Sequence, residues 1–540
     1  MMISSYSLLL FSLLFFLAHQ SPCSASFPKN PNETHILQCL LGRSVPRLLL
    51  LSSTSENFTS ALLSTVQNPR TLDHSPKPLL IVNATSESHV QSAVLCSRDL
   101  NLQLRIRSGG HDYEGLSYSS SSFVPFVLLD LQYLRSIDID IGSLTAWVQT
   151  GATLGELYFA IAAASKTVAF SAGYCPTVGV GGHFGGGGTG PLMRSHGIAA
   201  DNVIDARIVN ADGEILESKE SMGEDLFWAL RGGGAASFGV VISYKIRLVE
   251  VPATVTFFSK IKTLSEGATK SMAQWQKIAH KVDRRLLIVA NLEVVDADKP
   301  NKTVQVTFLS LFLGEISELL PLINDNFPEL GLTVKDCKEM SWVESIAFFP
   351  PGLGHVTLTT YLLNRIPLPP NISFKAKSDI LTMPIGEDGW EEICRFILAG
   401  DEQPLILIEP LGGRMDEIPE TATPFPYRKG SLYTIQYMTR WTELDEKENA
   451  RKHIDWMRML YDFVTPFVSR NPRAAYLNVR DLDLGRNEEG RISYEDAEVW
   501  GKSYFRGNFE RLAMVKSRVD KSNFFKYEQS IPPFSGFSSQ

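Results

Sequence analysis

The hydrophobic pattern divides the chain into two parts of different texture. Residues 78–108 run from an unbroken apolar stretch through helical spacing to an alternating segment, which predicts a strand, a capped helix and a second strand. Apolar runs at 124–130, 144–150 and 203–209 predict further strands, and the spacing at 154–166 predicts a helix. The first half of the chain is therefore expected to consist of short α/β units.

From about Thr254 the pattern changes. Long alternating segments at 287–295 and 303–312 predict strands, and helical spacing at 315–323 and 388–398 predicts helices. We expect these elements to form a second α+β layer.

The C-terminal part predicts two more elements. Residues 446–468 have the spacing of one long amphipathic helix, and residues 473–485 return to a strand-like alternation. No internal repeat appears in the sequence.

The extreme N-terminus predicts a secretory signal. Residues 8–18 form an apolar block that is too short to span a bilayer, and small residues follow it at 23–26. This arrangement predicts cleavage near residue 26. No later apolar run reaches the ~18 residues that a membrane span needs, so none is expected.

Composition and charge narrow the class of protein. The 540 residues are 44% hydrophobic and 20% charged, as is typical of a water-soluble globular protein. There are 51 basic and 59 acidic residues, for a formal net charge of -8. Since no basic stripe or run of like charges appears, nucleic acid is not expected as a partner.

Glycosylation signals agree with a secretory route. Sequons of the form Asn-x-Ser/Thr occur at Asn32, Asn57, Asn83, Asn301 and Asn371. They predict a glycoprotein of the secretory pathway, located in the apoplast or the vacuole. The chain does not end in a signal for retention in the endoplasmic reticulum.

The cysteines left after cleavage are odd in number. They are Cys39, Cys96, Cys175, Cys337 and Cys394, so at least one is not in an intramolecular disulfide. Cys39 and Cys96 flank a region rich in Ser, Asn and Pro near the mature N-terminus and are expected to form a disulfide. Cys337 and Cys394 are expected to be buried thiols.

Two glycine-rich loops carry the candidate chemistry. The first covers residues 107–115 directly after a predicted strand, and the second covers residues 173–190. Glycines let backbone N–H groups approach a pyrophosphate and form an anion-binding nest. The alternative, a pair of flexible surface loops, is less favoured because a third glycine cluster follows at 231–234.

Residues 185–190 also match G-x-G-x-x-G, and Asp205 follows at about the spacing of a Rossmann dinucleotide site. The context does not fit, because the motif follows Pro, Gly and His residues instead of a strand and leads to Gly190-Pro191. We interpret the match as coincidental.

Several motifs together identify a family resemblance. They are SGGHDYEG at 108–115, GYCPTVGVGGHFGGGGTG at 173–190, HGIAADNVIDA at 196–206, RGGG with SFGVV within 231–241, and YLNVRDLDLG at 476–485. The chain closely resembles the berberine-bridge-enzyme-like family of plant FAD-linked oxidases, which includes reticuline oxidase-like and cannabinoid synthase-like proteins. The resemblance runs nearly from end to end.

The resemblance implies an α+β fold of the vanillyl-alcohol-oxidase (PCMH-type) class. In that fold an FAD-binding domain, here residues 27–253 and 471–540, embraces a central α+β substrate domain, here residues 254–470. These bounds agree with the change of pattern near Thr254.

The resemblance also implies how FAD is held. His111 is expected to bond covalently to the flavin 8α-methyl group and Cys175 to flavin C6, because imidazole and thiolate are nucleophiles that add to an electrophilic flavin. Further cofactor contacts are expected from Arg107, Ser108, Gly109, Gly110, Val178, Gly179, Gly181, Gly182, His183 and Asn478. No metal site is expected.

The residue at position 178 bears on whether dioxygen can reoxidise the flavin. Valine at this position resembles the family's oxygen-permissive form, so an oxidase that produces hydrogen peroxide is expected, with hydride transfer from substrate to flavin N5. The alternative for Val178 is an ordinary apolar packing residue.

The catalytic base is not obvious, because the chain departs from its relatives. Val479 and Thr189 stand where many members carry tyrosine. The remaining candidates are Tyr113, Gln436, which can only orient a substrate, and Arg440, which could bind a phenolate or carboxylate.

These features support a leading function and its alternatives. The leading function is oxidation of a plant aromatic alcohol, phenolic or alkaloid by an FAD-linked, monomeric enzyme that uses O2. The alternatives are an oligosaccharide oxidase, an FAD-bound cyclase that performs a 4+2 cycloaddition (Diels–Alder) on prenylated phenolics, and a catalytically silent flavin-binding glycoprotein.

Overall fold

The computed structural model of the chain describes residues 31–72, 75–120, 124–297, 302–349, 357–366, 371–442, 447–488 and 492–534. The predicted signal peptide and the sequon at Asn301 lie outside these residues. Among the other sequons, Asn83 is buried at the end of a strand.

The strands within the described residues are numbered in chain order. They are β1 (Leu50–Ser52), β2 (Leu80–Asn83), β3 (Gln103–Arg107), β4 (Phe126–Asp130), β5 (Ile137–Asp140), β6 (Thr145–Gln149), β7 (Val168–Ala169), β8 (Val203–Val209), β9 (Ile215–Leu216), β10 (Val240–Arg247), β11 (Val249–Glu250), β12 (Val255–Thr263), β13 (Leu286–Asp296), β14 (Lys302–Phe312), β15 (Cys337–Met340), β16 (Ile372–Leu381), β17 (Leu405–Pro410) and β18 (Tyr433–Thr442).

The α-helices are numbered in the same way. They are α1 (Pro31–Gly42), α2 (Phe58–Leu63), α3 (Glu87–Asp99), α4 (Leu154–Ala164), α5 (Val180–Gly185), α6 (Met193–His196), α7 (Lys219–Leu230), α8 (Ala268–Ile278), α9 (Ile316–Asn326), α10 (Trp342–Ile346), α11 (Leu358–Leu363), α12 (Glu387–Ala399), α13 (Arg414–Glu417), α14 (Lys447–Phe463), α15 (Tyr494–Phe505) and α16 (Asn508–Val519).

The first half of the chain forms two main sheets. One has the strand order β1-β2-β4-β3, in which β2, β4 and β3 are parallel and β1 is antiparallel. The other is antiparallel, with the order β5-β6-β10-β8-β9. The strand, helix and strand predicted over 78–108 are confirmed as β2, α3 and β3, and the first glycine loop leaves the end of β3.

The second half forms one antiparallel sheet of seven strands, with the order β15-β12-β14-β13-β17-β18-β16. One face packs against α8, α9, α12 and α14 in a continuous apolar cluster. Because side chains alternate along a strand, the neighbouring positions of β16, β17 and β18 point to the opposite face, where the glycine loops lie. We call this opposite face the site face.

The predicted α+β class is therefore confirmed. The seven strands all lie between Val255 and Thr442, inside the segment predicted as the central domain. The domain bounds themselves stay a prediction.

Two predicted elements were wrong in part or in full. The helix predicted over 446–468 ends at Phe463, and a separate 3-10 turn at Thr465–Phe467 follows, because Pro466 cannot donate a helical hydrogen bond. The strand predicted over 473–485 is absent from the described residues. That segment is a turn-rich loop, in which the Val479 nitrogen donates to the Tyr476 carbonyl and the Ala475 nitrogen donates to the Ser503 carbonyl.

The predicted disulfide is confirmed. Cys39 in α1 is bonded to Cys96 in α3, which ties the two helices of the N-terminal part together. Cys394 is buried as expected, whereas Cys337 is only partly buried because it lies at the start of the edge strand β15. None of the helices in the described ranges combines the length and the apolar character that crossing a bilayer requires.

Candidate active site

The glycine loops and the site face of the sheet enclose a cavity of about 490 Å³. The cavity brings together nearly all the residues predicted for the site. Those that line it are Ser108, Gly109, Gly110, His111, Tyr113, Cys175, Val178, Gly179, Gly181, Gly182, His183, Gln436, Arg440 and Asn478. Their individual roles stay predictions, but their convergence places the candidate chemistry in one chamber.

Arg107 is the predicted cofactor contact that the structure does not place in the lining. Its guanidinium is fully buried, donates to Asp130 at 3.1 Å, and also donates to the carbonyl oxygens of Ala61 and Leu62. Arg107 therefore joins β3 to β4 and α2. Its hydrogen bonds go to groups of the protein itself. Arg107 therefore stabilises the start of the first glycine loop from outside the cavity.

The two glycine loops touch through their backbones. A Cβ atom on Gly109 would lie 2.3 Å from the backbone nitrogen of Gly179, and a Cβ atom on Gly179 would lie 2.2 Å from that of Gly109. Ser108 adds a side-chain link, because its hydroxyl accepts a hydrogen bond from the Gly181 nitrogen at 3.3 Å. Glycine is thus required at this crossing for its lack of a side chain.

The two predicted flavin tethers meet at Thr177. Its hydroxyl lies 2.8 Å from His111 Nε2 and 3.5 Å from Cys175 Sγ. Burial lowers the pKa of His111 to about 4, against a smaller opposing effect of Thr177, and burial raises the pKa of the Cys175 thiol. The imidazole is therefore neutral at pH 7, as a nucleophile must be. Sequence reasoning missed Thr177, although it lies two residues after Cys175.

The second loop is held by a shell of neutral hydrogen bonds. His183 Nε2 accepts from the Gly173 nitrogen at 2.9 Å, and burial, with a smaller effect of His111, lowers the pKa of His183 to about 3. Tyr476 Oη accepts from the Gly188 nitrogen at 2.8 Å, while Asn478 Nδ2 donates to the His183 carbonyl at 3.1 Å. The loop 473–485 thus closes over the second glycine loop.

The opposite wall belongs to the sheet. Gln436 on β18 donates from Nε2 to Tyr113 Oη at 3.1 Å, and the Tyr113 ring packs edge-on against Phe374 of β16 with centroids 5.0 Å apart. Burial raises the pKa of Tyr113 to about 12, and Gln436 opposes that rise. Tyr113 is therefore a protonated phenol at neutral pH. Arg440, four residues beyond Gln436 on the same strand, is exposed at the rim.

Sequence reasoning missed a carboxyl group in this wall. Glu409, at the end of β17, lines the cavity and accepts a hydrogen bond from Tyr174 Oη at 3.1 Å. The Thr189 side chain also hydrogen-bonds to it. The available signal was the alternating strand LILIE at 405–409, in which an acidic residue continues an apolar face.

The lining fits a large anionic cofactor. Arg480 Nη1, Gln67 Oε1 and Ser117 Oγ are buried polar atoms without a hydrogen-bond partner among the described residues, and all three residues line the cavity. A Cβ atom on Gly182 would meet nothing within 4 Å, so that side of the loop is open. A cationic donor, backbone amides and open space suit a dinucleotide with a pyrophosphate.

Metal chemistry has no visible site in the described part of the chain. No group of three or more His, Cys, Asp or Glu side chains there has the arrangement to hold a metal ion.

The fold and the cavity define a flavin-dependent oxidoreductase, and comparisons with known proteins agree. A family model described as an FAD binding domain matches residues 78–219, and one described as berberine and berberine like matches residues 475–532. The chain is similar to tetrahydroberberine oxidase from Berberis wilsoniae, with 49% identity over 97% of this chain and 98% of that protein. The chain belongs to the berberine bridge enzyme-like family.

Solved structures extend the similarity. The structure of berberine bridge enzyme-like protein 28 from Arabidopsis thaliana is 43% identical, has a TM-score of 0.87, and covers 92% of this chain and 100% of its own. The grass pollen allergen Phl p 4 is 44% identical with a TM-score of 0.86 over 92% of this chain and 99% of its own, and its wild-type form is a glucose dehydrogenase. A Phl p 4 variant with valine in place of one isoleucine is a glucose oxidase.

The comparisons confirm the predicted family and the PCMH-type FAD-binding fold. They also confirm that the protein is an FAD-linked oxidoreductase.

Proposed function

We propose that this protein is a secreted FAD-dependent oxidase of a plant aromatic alcohol, phenolic or alkaloid, and that dioxygen reoxidises its cofactor to give hydrogen peroxide. The observation that carries the proposal is the convergence of His111, Cys175 and Val178 on one wall of a cavity whose other wall presents Gln436, which hydrogen-bonds to Tyr113 of the first glycine loop. One wall suits a tethered flavin, and the other suits a substrate.

Two covalent links to the flavin are part of the proposal. His111 and Cys175 both lie within hydrogen-bonding distance of the Thr177 hydroxyl, so the two side chains lie close together on the cavity wall. Two tethers would fix the ring and raise its reduction potential.

Val178 supports the oxidase over the dehydrogenase. Its partly buried side chain lines the cavity three residues after Cys175. The change of Phl p 4 from a glucose dehydrogenase to a glucose oxidase through one isoleucine-to-valine substitution shows how far one apolar side chain controls oxygen use in a relative.

The lining favours an aromatic substrate. Tyr113, Tyr174, Phe374 and Tyr476 present aromatic surface in or beside the cavity, and such surface suits a flat organic molecule. A relative that is 49% identical acts on tetrahydroberberine by its name, which keeps alkaloids among the candidates. Sugar oxidation is the second candidate, because Phl p 4 is 44% identical and acts on glucose.

The roles of the chain's own residues follow from the geometry. When bound, FAD supplies the acceptor for a hydride from the substrate carbon. Gln436 fixes the Tyr113 hydroxyl, and together they orient a substrate oxygen or nitrogen. Tyr476 and Asn478 hold the second glycine loop against the cofactor space.

Secretion and a monomeric state belong to the proposal as well. The disulfide between Cys39 and Cys96 suits an oxidising compartment. Export into the culture medium with removal of residues 1–26, and the mass of the secreted protein by light scattering, would test both points.

The deciding experiment has two steps. Wild type, Cys175→Ala, His111→Ala and the double variant are precipitated with acid, and flavin absorbance is measured in pellet and supernatant. We expect flavin in the pellet for the wild type and both single variants, and in the supernatant for the double variant. Flavin in the wild-type supernatant would contradict the tethers.

The second step separates the reaction classes. Tetrahydroberberine, 4-hydroxybenzyl alcohol and glucose serve as probes for anaerobic bleaching of the flavin, and air is then readmitted. Rapid reoxidation with stoichiometric peroxide supports the oxidase. A cofactor that stays reduced in air indicates a dehydrogenase, and a cyclised product formed from a prenylated phenolic without oxygen uptake indicates the 4+2 cyclase.

A further inference from the structure

The cavity needs a proton acceptor, and few lining side chains qualify. Removal of a hydride from a carbon that bears oxygen or nitrogen also releases a proton from that heteroatom. Val479 and Thr189 cannot accept one at the positions where many relatives carry tyrosine. The carboxyl groups among the described lining residues are Asp112 and Glu409.

Asp112 is occupied. Its Oδ2 accepts from Arg480 Nε at 3.0 Å, and its Oδ1 accepts from the backbone nitrogens of Glu114 and Leu116 at 3.0 and 3.1 Å. This carboxylate fixes the first glycine loop to the loop 473–485. Both oxygens of this carboxylate are therefore already engaged by donors of the protein itself.

The histidines and the phenol of Tyr113 are also unsuitable. The pKa of His111 is about 4 and that of His183 is about 3, chiefly because both are buried, and each ring is held by a hydrogen bond. Burial raises the pKa of Tyr113 to about 12, so it is protonated and serves as a donor.

Glu409 has the opposite character. It lies on the site face of β17, where Thr434 of β18 is its register partner, two positions before Gln436. Its hydrogen-bond partners are two neutral side chains, Tyr174 and Thr189, and no lysine, arginine or histidine of the described residues forms an ion pair with it.

Position also favours Glu409. Tyr174 precedes the predicted tether Cys175, so the carboxyl group lies beside the cofactor wall while belonging to the substrate wall. Arg440, the cation on the same strand as Thr434, is six residues away, or about 20 Å along the strand. The carboxyl group is therefore free to interact with a substrate.

We propose that Glu409 is the base that accepts the substrate proton. The proposal rests on the oxidase function proposed above. The O–H bond of an alcohol or the N–H bond of an ammonium breaks, and its proton forms an O–H bond on the Glu409 carboxylate. Bound FAD would take up the hydrogen of the adjacent carbon as a hydride, so that the C=O or C=N bond forms.

The pKa of the Glu409 carboxyl depends on burial and on its two hydrogen bonds. Burial raises the pKa of Glu409 above its usual range, whereas the contacts with Tyr174 and Thr189 lower it in part. The rate should fall as the pH falls through this pKa, because the protonated carboxyl cannot accept a proton. Removal of the Tyr174 hydroxyl should raise the pKa and move this acidic limb to higher pH.

The test uses the holoenzyme and three variants. Glu409→Gln should slow anaerobic flavin reduction by the active probe by about 10²–10⁴-fold, and Glu409→Asp should recover part of the rate. Tyr174→Phe should move the acidic limb upward by about one pH unit. Tyr361→Phe is the matched control, since the Tyr361 hydroxyl donates to the Tyr174 carbonyl and not to Glu409.

A measurement without substrate accompanies the kinetics. The flavin absorption spectrum of the wild-type holoenzyme is titrated with pH, and we expect a transition that disappears in Glu409→Gln and shifts upward in Tyr174→Phe. No transition that depends on Glu409 would overturn the proposal, as would a pH–rate profile of Glu409→Gln equal to that of the wild type.

The two proposals fail in different ways. Air reoxidation of dithionite-reduced Glu409→Gln at the wild-type rate leaves the oxidase function intact and isolates the effect in substrate oxidation. A wild-type cofactor that stays reduced in air would reject the oxidase function, while the titration would still decide whether Glu409 is a titratable group beside the cofactor.

Discussion

The two walls of the cavity are built on different principles. The glycine-loop wall is a contact of backbone with backbone, where Gly109 and Gly179 leave no room for a Cβ atom. The sheet wall is a regular antiparallel surface on which Glu409, Gln436 and Arg440 occupy alternate positions. The first wall constrains residue type where the two loops touch, whereas the second tolerates any side chain that the strand accepts.

This difference separates the cofactor from the substrate. A wall fixed by its backbone presents the same amides and the same open space in any chain that keeps the glycines, which suits a common cofactor. A wall of alternating side chains changes its chemistry with single substitutions while the sheet remains intact. We therefore expect specificity within the family to depend on the sheet wall.

The largest expected effect is at the backbone contact. Gly109→Ala places a Cβ atom 2.3 Å from the Gly179 nitrogen, and neither backbone has a flexible end that could move away. We expect a loss of at least about 3 kcal/mol of stability and little or no folded flavoprotein, measured as secreted yield and thermal unfolding.

Gly182→Ala is the matched control for this substitution. Its Cβ atom would meet nothing within 4 Å, and Gly182 lies in α5, where alanine is the better helix former. Folding should be retained. Equal yields of the two variants would show that the glycine wall is not held by the close approach of its loops.

The next effect concerns the ion cluster that joins the two walls. Lys375 on β16 of the sheet wall is buried and donates to Glu114 of the first glycine loop at 2.6 Å and to Asp481 at 2.7 Å. Lys375→Met leaves buried carboxylates without this partner, so a loss of about 3–5 kcal/mol is expected in urea unfolding. Arg414→Met, which removes an exposed pair with Glu417, should cost less than about 1 kcal/mol.

The pH dependence sharpens this prediction. Burial alone would raise the pKa of Glu114, but Lys375 and Arg70 outweigh burial and hold it below its usual value of 4.5. A lowered pKa stabilises the fold above 4.5, and that contribution is lost as the pH falls below it. In Lys375→Met the pKa of Glu114 should rise, so the difference from the wild type should shrink at acid pH. A constant difference would contradict the electrostatic origin.

The contrast between the two walls also explains which site residues could be predicted from the sequence. The glycine wall was found from its motifs because the close approach of Gly109 and Gly179 excludes other residues. Thr177 escaped notice, since a hydroxyl that bridges two nucleophiles leaves no spacing pattern. Glu409 was also missed, because one acidic residue in an apolar strand resembles any edge position.

Loop 473–485 shows the limit of periodicity. Its alternation resembles a half-buried strand, yet Tyr476, Leu477 and Val479 are all buried, and Tyr476 and Asn478 hydrogen-bond to the second glycine loop. An alternation of polar and apolar residues therefore occurs here in a loop. A neighbouring strand is not required.

The smallest expected effect on stability is at the rim of the sheet wall. Arg440 is exposed, and its guanidinium has no hydrogen bond or ion pair with the described residues. Arg440→Gln should change the free energy of unfolding by less than about 0.5 kcal/mol. If Arg440 meets an anionic group of the substrate, the KM for a carboxylate-bearing aromatic probe should rise by up to about fivefold while kcat stays unchanged, because an exposed ion pair contributes at most about 1 kcal/mol.

Gln436→Leu on the same strand provides the comparison. This substitution removes the 3.1 Å hydrogen bond to Tyr113 Oη inside the cavity and should lower the rate of anaerobic flavin reduction without a comparable change in KM. The two substituted positions, 436 and 440, are four residues apart on one face of β18. Gln436→Leu therefore tests how the substrate is oriented inside the cavity, and Arg440→Gln tests how it is attracted at the rim. Equal effects of both variants on the reduction rate would mean that the sheet wall acts as one surface, and the graded arrangement from Gln436 to Arg440 would be wrong.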